Sequence, residues 1–151
     1  MNLLKKYLRE KPAQPYKQLV FTTGYTDRDV RRLPDLLRDL NAVLVDIRFN
    51  PTSRKPQWGK DYLKLLLKDK YRHVPSLGNR AGDGAAARDS IQNLNLGIRI
   101  IDELKVNVLL MCGCRLEKDC HRRFIAQKLT AAGVEVREIA DWNRADGNLS
   151  G

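Results

Sequence analysis

Short apolar runs alternate along this chain with longer stretches whose leucines and isoleucines recur every three or four residues. Leu19-Val20-Phe21-Thr22-Thr23, rich in β-branched and aromatic side chains and stopped by Gly24, predicts a first strand. From Asp27 to Leu40 the residues Val30, Leu33, Leu36, Leu37 and Leu40 form a helical stripe, and Pro34 inside it marks a kink or the true helix start. Val43 to Ile47 predicts a second strand, nearly all apolar, as for a strand covered on both faces. A loop with Pro51, Pro56 and Gly59 leads to a helix over Lys60 to Lys68 and then to a short edge strand, Tyr71 to Val74. Glycines 78, 82 and 84 make Ser76 to Ala87 a loop, and Ile91, Leu94, Ile98 and Ile101 mark a helix that Gly97 weakens. A buried strand, Val106 to Met111, a helix from about Cys120 to Ala132 and a last strand, Val134 to Ile139, complete the pattern.

Strands alternating with helices predict an α/β fold, a three-layer Rossmann-like domain with a mostly parallel sheet of about five strands. Three segments are expected: a basic N-terminal arm over 1–18, one domain over 19–140 and a flexible tail over 141–151. In such sheets ligands gather beyond the strand C-termini. The loops that begin at Gly24, Arg48 and Cys112 all leave strand ends, so they are expected to share one rim.

Composition narrows the function. The 151 residues carry 28 Lys and Arg against 18 Asp and Glu, a net charge of +10, which favours polyanionic partners, nucleic acid or nucleotide phosphate. No run of the sequence approaches the length of a membrane span, the first residues lack a secretory apolar core, and the three cysteines cluster instead of stapling distant segments. A cytoplasmic location is expected, with no membrane contact. Oligomeric state is left open.

The chemistry concentrates in one window. An apolar strand ends in Cys112, Cys114 follows, and Asp119 caps a helix expected to open on Cys120, His121 and Arg122. Unpaired N–H groups there, with Arg115 and Arg122, favour an anion or a thiolate. His121 is a candidate acid or base and Cys112 a candidate nucleophile, although Lys118 stands where a cysteine phosphatase needs Arg. At the second strand end, Asp46 faces Arg48 across one residue, a spacing that pairs them and presents the guanidinium to phosphate. Asp46 itself is a candidate base or an orienting group. Ser53, Arg54 and Lys55 are further anion contacts, and Trp58 either stacks on a base or caps the core. The cysteines and His121 offer four zinc-type ligands, but the spacing is not Cys-x₂-Cys and adjacent Cys and His cannot easily share one ion. No metal and no cofactor are therefore expected.

Taken together, Thr22-Thr23-Gly24-Tyr25, Leu44-Val45-Asp46-Ile47-Arg48 with Pro51 and Ser53, Leu77-Gly78-Asn79, Leu109 to Cys112 and Cys120-His121-Arg122 resemble the domain-of-unknown-function 488 family. The likeness spans about Leu19 to Ile139. It implies an α/β domain whose quoted residues, Thr23, Gly24, Tyr25, Asn79 and Cys120 among them, assemble in one pocket, and it implies no particular reaction. Family members often carry Glu where this chain has Cys114, which puts an acid role at that position in doubt. A looser similarity to rhodaneses rests on the Asp-x-Arg and on Cys112-Gly113-Cys114-Arg115. The leading expectation is a nucleic-acid- or nucleotide-directed enzyme with a cationic phosphate pocket. The alternatives are a non-catalytic basic nucleic-acid-binding module and a thiol or sulfur-transfer enzyme using Cys112.

Overall fold

All five apolar runs become strands. In the computed structural model, which describes residues 17–80, 90–114 and 120–142, they are β1 (Leu19–Gly24), β2 (Ala42–Asp46), β3 (Tyr71–His73), β4 (Asn107–Cys112) and β5 (Glu135–Glu138). The helices between them are α1 (Leu33–Leu40), α2 (Lys60–Leu67), α3 (Leu94–Leu104) and α4 (Arg122–Ala131). Strand order is β3-β2-β4-β1-β5, with every pairing parallel, so this is an α/β fold of Rossmann-like form. The expected arm up to Tyr16 and the tail beyond Trp142 lie outside the described residues.

Helix boundaries follow local chemistry. Pro34 lies in the first turn of α1, where its missing N–H leaves no gap in the ladder, so the helix starts there and a 3₁₀ turn at Val30–Arg32 precedes it. Asn41 closes α1 in the left-handed region at φ 50°, a conformation Asn tolerates. Helix α4 begins two residues later than the sequence pattern predicts, with His121 at its cap and Cys120 outside it. The capping role expected of Asp119 lies outside the described residues. Gly97, which weakens the third helix on propensity, is required by packing. A Cβ there would lie 2.2 Å from the Leu77 side chain.

The connections from β1 to β2 and from β2 to β3 step one way along the sheet, and those from β3 to β4 and from β4 to β5 step back. Right-handed crossovers therefore place α1 and α2 on one face and α3 and α4 on the other. Two apolar cores match that division. One joins Leu33, Leu36, Leu37, Leu63 and Trp58 to Phe21, Leu44 and Leu109, and the other joins Ile101, Ile125 and Leu129 to Val45, Val108 and Leu110. The edge strand β5 carries a Glu135–Arg137 ion pair at 3.2 Å, and such charges discourage edge-to-edge association. Adjacent strands whose crossovers diverge are β2 and β4, which puts the topological switch point between Asp46 and Cys112. No helix among the described residues is long and apolar enough to cross a membrane.

The packed region reaches past residue 140. Trp142 is buried, its indole Nε1 donates to Thr23 Oγ1 at 2.8 Å, and its ring meets Trp58 edge-on at 5.8 Å. Isolated aromatic residues in polar tails give no periodic signal, which is why the pattern along the sequence ends at Ile139.

Candidate functional site: a sealed rim and an open cleft

The three loops expected to share a rim do so. Register places Gly24 beside Cys112 and Asp46 beside both Met111 and His73, so the strand ends are level. Beyond the strands, Tyr25 N–H donates to Cys112 O, Ile47 N–H to Met111 O and Val74 N–H to Asp46 O, each at 3.0 Å. Gly24 makes the closure possible. A Cβ at this position would stand 1.6 Å from the Cys114 carbonyl oxygen.

Asp46 and Arg48 pair as their spacing predicts. Arg48 Nε donates to Asp46 Oδ1 at 2.8 Å and Nη2 to Oδ2 at 2.6 Å, with both side chains buried. Nη1 donates to the Trp58 carbonyl at 2.7 Å, and the guanidinium lies 5.2 Å from the centre of the Tyr25 ring. Tyr71 Oη donates to Asp46 Oδ2 at 2.6 Å, and His73 Nε2 donates to the Arg48 carbonyl at 2.8 Å. Burial alone would lower the Arg48 pKa, but the hydrogen bonds and charge of Asp46 outweigh it and hold it above the ordinary value. Burial, followed by the Asp46 charge, pushes the Tyr71 phenol up. The carboxylate therefore serves as an orienting group, and the guanidinium is a strut that ties the second loop to the sheet.

The cysteines and Arg122 form a second sealed cluster. Arg122, fully buried, donates to Glu138 through Nε at 3.1 Å and Nη2 at 2.7 Å, and through Nη1 to Cys112 Sγ at 3.1 Å and Cys114 O at 3.0 Å. Thr22 Oγ1 donates to the same carboxylate at 2.5 Å. Burial would lower the Arg122 pKa, yet Glu138 and then the Cys112 sulfur hold it above the ordinary value. The three sulfurs of Cys112, Cys114 and Cys120 lie within 4.8 Å of one another, all as free cysteines. Burial pushes the Cys112 thiol well up, reinforced by its hydrogen bonds with Cys114 and Cys120. For Cys120 the bond with Cys112 acts downward, but Cys114 and burial prevail and push it up to about 11. His121 donates from Nε2 to the Ile47 carbonyl at 3.0 Å, because a carbonyl only accepts, and its Nδ1 is 3.6 Å from Cys120 Sγ. His121 and Arg48 thus meet across a single residue, Ile47.

Beside this seam opens a cleft of about 610 Å³. Tyr25, Thr26 and Asp27 from the first loop face Thr52, Ser53, Arg54 and Lys55 from the second, and Trp58 forms part of the floor. Thr26 Oγ1 donates to the Gly113 carbonyl, which ties the near wall to the end of β4. Ser53 Oγ accepts from the Lys55 N–H at 3.1 Å and so shapes the far wall. Trp58 stacks on Tyr25 with ring centres 4.7 Å apart and is only 1% exposed, so it caps the core and offers no free face to a base.

Residues expected to gather in one pocket divide in two. Tyr25, Ser53 and Arg54 line the cleft. Asp46, Arg48, Cys112, Cys120, His121 and Arg122 lie in the sealed seam, and Thr23 is buried behind it, donating to the Ile139 carbonyl at 2.9 Å. A fully engaged guanidinium does not suit Arg122 to phosphate, and a dry, elevated thiol makes Cys112 a poor nucleophile at neutral pH. Asn79 is buried and bridges to Ile91 through the backbone, and Arg115 lies outside the described residues. Sequence reasoning missed Tyr71 and Glu138, the partners of Asp46 and Arg122. No sequence signal points to them, because both contacts depend on which strands lie side by side, β2 with β3 and β1 with β5.

No curated protein and no solved structure matches the chain. A family described as a domain of unknown function, DUF488, matches residues 29–129, from the 3₁₀ turn before α1 to the last turn of α4, and so takes in β2, β4 and most of both clusters. This chain belongs to the DUF488 family.

Proposed function

We propose that this protein binds a phosphate-bearing ligand, nucleic acid or nucleotide, in the cleft between the first and second rim loops. The observation that carries this reading is the position of Arg54 and Lys55, two exposed cations, with the hydroxyls of Thr26, Thr52 and Ser53 around one opening of about 610 Å³. Hydroxyls and flexible cations are the usual contacts to phosphate oxygens, and the net charge of +10 draws polyanions to the surface at long range. Asp27 lies in the same opening and adds a carboxylate to its lining. Such a mixed lining fits a nucleotide unit better than a bare phosphate run.

Asp46, Cys112 and His121 are buried and occupied by partners inside the protein, so none of them lines the cleft. The geometry therefore favours the binding-module alternative over the enzyme, and over thiol chemistry at Cys112. Titration with mononucleotides and with single- and double-stranded oligonucleotides across a salt series tests this. Binding that weakens steeply with salt is expected, with the slope reduced by about one counterion in Arg54→Ala. Undetectable binding of all three probes at low salt would overturn the proposal.

A further inference from the structure

The sealed cluster at the end of β4 has a donor set that the cleft does not use. Three sulfurs converge from three places: Cys112 on the last residue of β4, Cys114 on the loop, and Cys120 just before α4. Their convergence is built in. The bare Cα of Gly24 lets the Cys114 carbonyl approach, and Arg122 Nη1 fastens both that carbonyl and Cys112 Sγ.

His121, which lies outside the mutually close group of three sulfurs, supplies the fourth donor by moving toward them from its place beside Cys120. Its Nε2–H is committed to the Ile47 carbonyl, so the lone pair resides on Nδ1, 3.6 Å from Cys120 Sγ. A carbonyl that accepts from the far ring nitrogen and so fixes the tautomer is the usual support of a metal-ligating histidine. With zinc–sulfur bonds of about 2.3 Å and zinc–nitrogen bonds of about 2.0–2.1 Å, tetrahedral geometry separates the two donors by about 3.6 Å. Neighbouring Cys and His side chains do not ordinarily share one ion, yet here His121 Nδ1 and Cys120 Sγ stand 3.6 Å apart. The N–H···S bond from Arg122 to Cys112 is the kind of contact that offsets negative charge on a metal-bound thiolate.

We propose that Cys112, Cys114, Cys120 and His121 form a closed, four-coordinate zinc site that pins the end of β4 to the start of α4. Three sulfurs and one imidazole nitrogen are a donor set zinc favours, and four protein ligands make the site structural, without an open position for a reacting water. The sulfurs adjust as well. Cys112 Sγ and Cys120 Sγ stand 2.6 Å apart, closer than the roughly 3.8 Å kept by two thiolates on one tetrahedral zinc, so binding rotates one side chain outward. Cys114 is only partly buried and gives the ion its way in. Zinc binds cysteine as thiolate, so loading releases protons to solvent.

The test uses the full chain, reduced and stripped of metal, titrated with cobalt(II) and then with zinc. One cobalt per chain is expected, with thiolate-to-cobalt charge transfer and the intense ligand-field bands of a tetrahedral centre, both removed by zinc. Cys114→Ser, at the least buried ligand, should weaken zinc binding by at least about tenfold, while His121→Gln should shift the ligand-field bands and keep the charge transfer. Wild-type protein that is folded by circular dichroism yet gives no charge-transfer band overturns the proposal without recourse to any variant. So does a mass showing that Cys112 and Cys120 join in a disulfide under the same reducing conditions, or unchanged zinc affinity in Cys114→Ser.

Discussion

The seam and the cleft are neighbours on one rim, yet they are built on opposite principles. In the seam every group with obvious reactivity is paired: Asp46 with Arg48 and Tyr71, Arg122 with Glu138, His121 with Ile47. In the cleft Thr52, Arg54 and Lys55 are exposed, and their cationic and hydroxyl groups face the opening. Ordinary residue types thus face the solvent where a ligand can enter, while the residue types that attract attention in a sequence hold the loops in place. Charge–charge pairing in a dry layer fixes loop geometry, and water-facing hydroxyls and cations leave room for exchange.

The largest effect that separates the two regions is expected at Asp46. Asp46→Asn leaves the buried Arg48 guanidinium with an uncompensated charge and should cost about 3–5 kcal/mol, read from urea unfolding at pH 7. The sharper form replaces both partners. Asp46→Leu with Arg48→Met removes the charge as well as the bond, so the double variant should be more stable than Asp46→Asn alone. If the double variant is the less stable, the pair does not act as a strut.

Glu138→Gln comes next. The Glu138 side chain is one-quarter exposed, so its loss leaves Arg122 short of charge beside partial solvent, and about 1–3 kcal/mol of destabilisation is expected in the same assay. That Arg122 has such a partner was beyond reach of the sequence alone, because the pair joins the start of α4 to the edge strand β5. The legible parts were local or periodic. Alternation gave the five strands, Pro34 gave the start of α1 as one of two readings, and the one-residue spacing of Asp46 and Arg48 gave their pairing. What stayed hidden depended on which strands lie side by side. Tyr71 reaches Asp46 only because β3 flanks β2, and Trp142 reaches Thr23 only because the chain turns back after β5. Burial was equally hidden: nothing in Cys-His-Arg says whether it opens outward or inward.

A smaller, pH-dependent effect should distinguish Tyr71→Phe. At neutral pH the substitution removes one hydrogen bond to Asp46, whose carboxylate keeps Arg48, and about 1 kcal/mol is expected. The folded chain holds the Tyr71 proton beyond the ordinary value of 10.0, because burial and then Asp46 disfavour the phenolate. The unfolded chain releases that proton first, so stability contributed by the hydroxyl is complete below about pH 10 and falls as pH rises further. Unfolding midpoints should therefore converge between wild type and Tyr71→Phe in alkali. Parallel curves from pH 7 to pH 11 would show that Tyr71 does not titrate with folding.

The smallest stability effect belongs to the cleft. Arg54→Ala and Lys55→Ala remove exposed cations, so each should shift stability by no more than about 0.5 kcal/mol in either direction. Their effect appears only with ligand present. Thermal shifts induced in wild type by a nucleotide or oligonucleotide should shrink in both variants, since ligand stabilisation grows with the logarithm of affinity. The comparison reverses if Arg54→Ala unfolds the protein as readily as Asp46→Asn does, because the far wall of the cleft would then be a strut too. A ligand-induced shift left whole in the Arg54→Ala, Lys55→Ala double variant would instead move the anion contacts elsewhere on the basic surface, with the cleft reduced to a gap between two well-anchored loops.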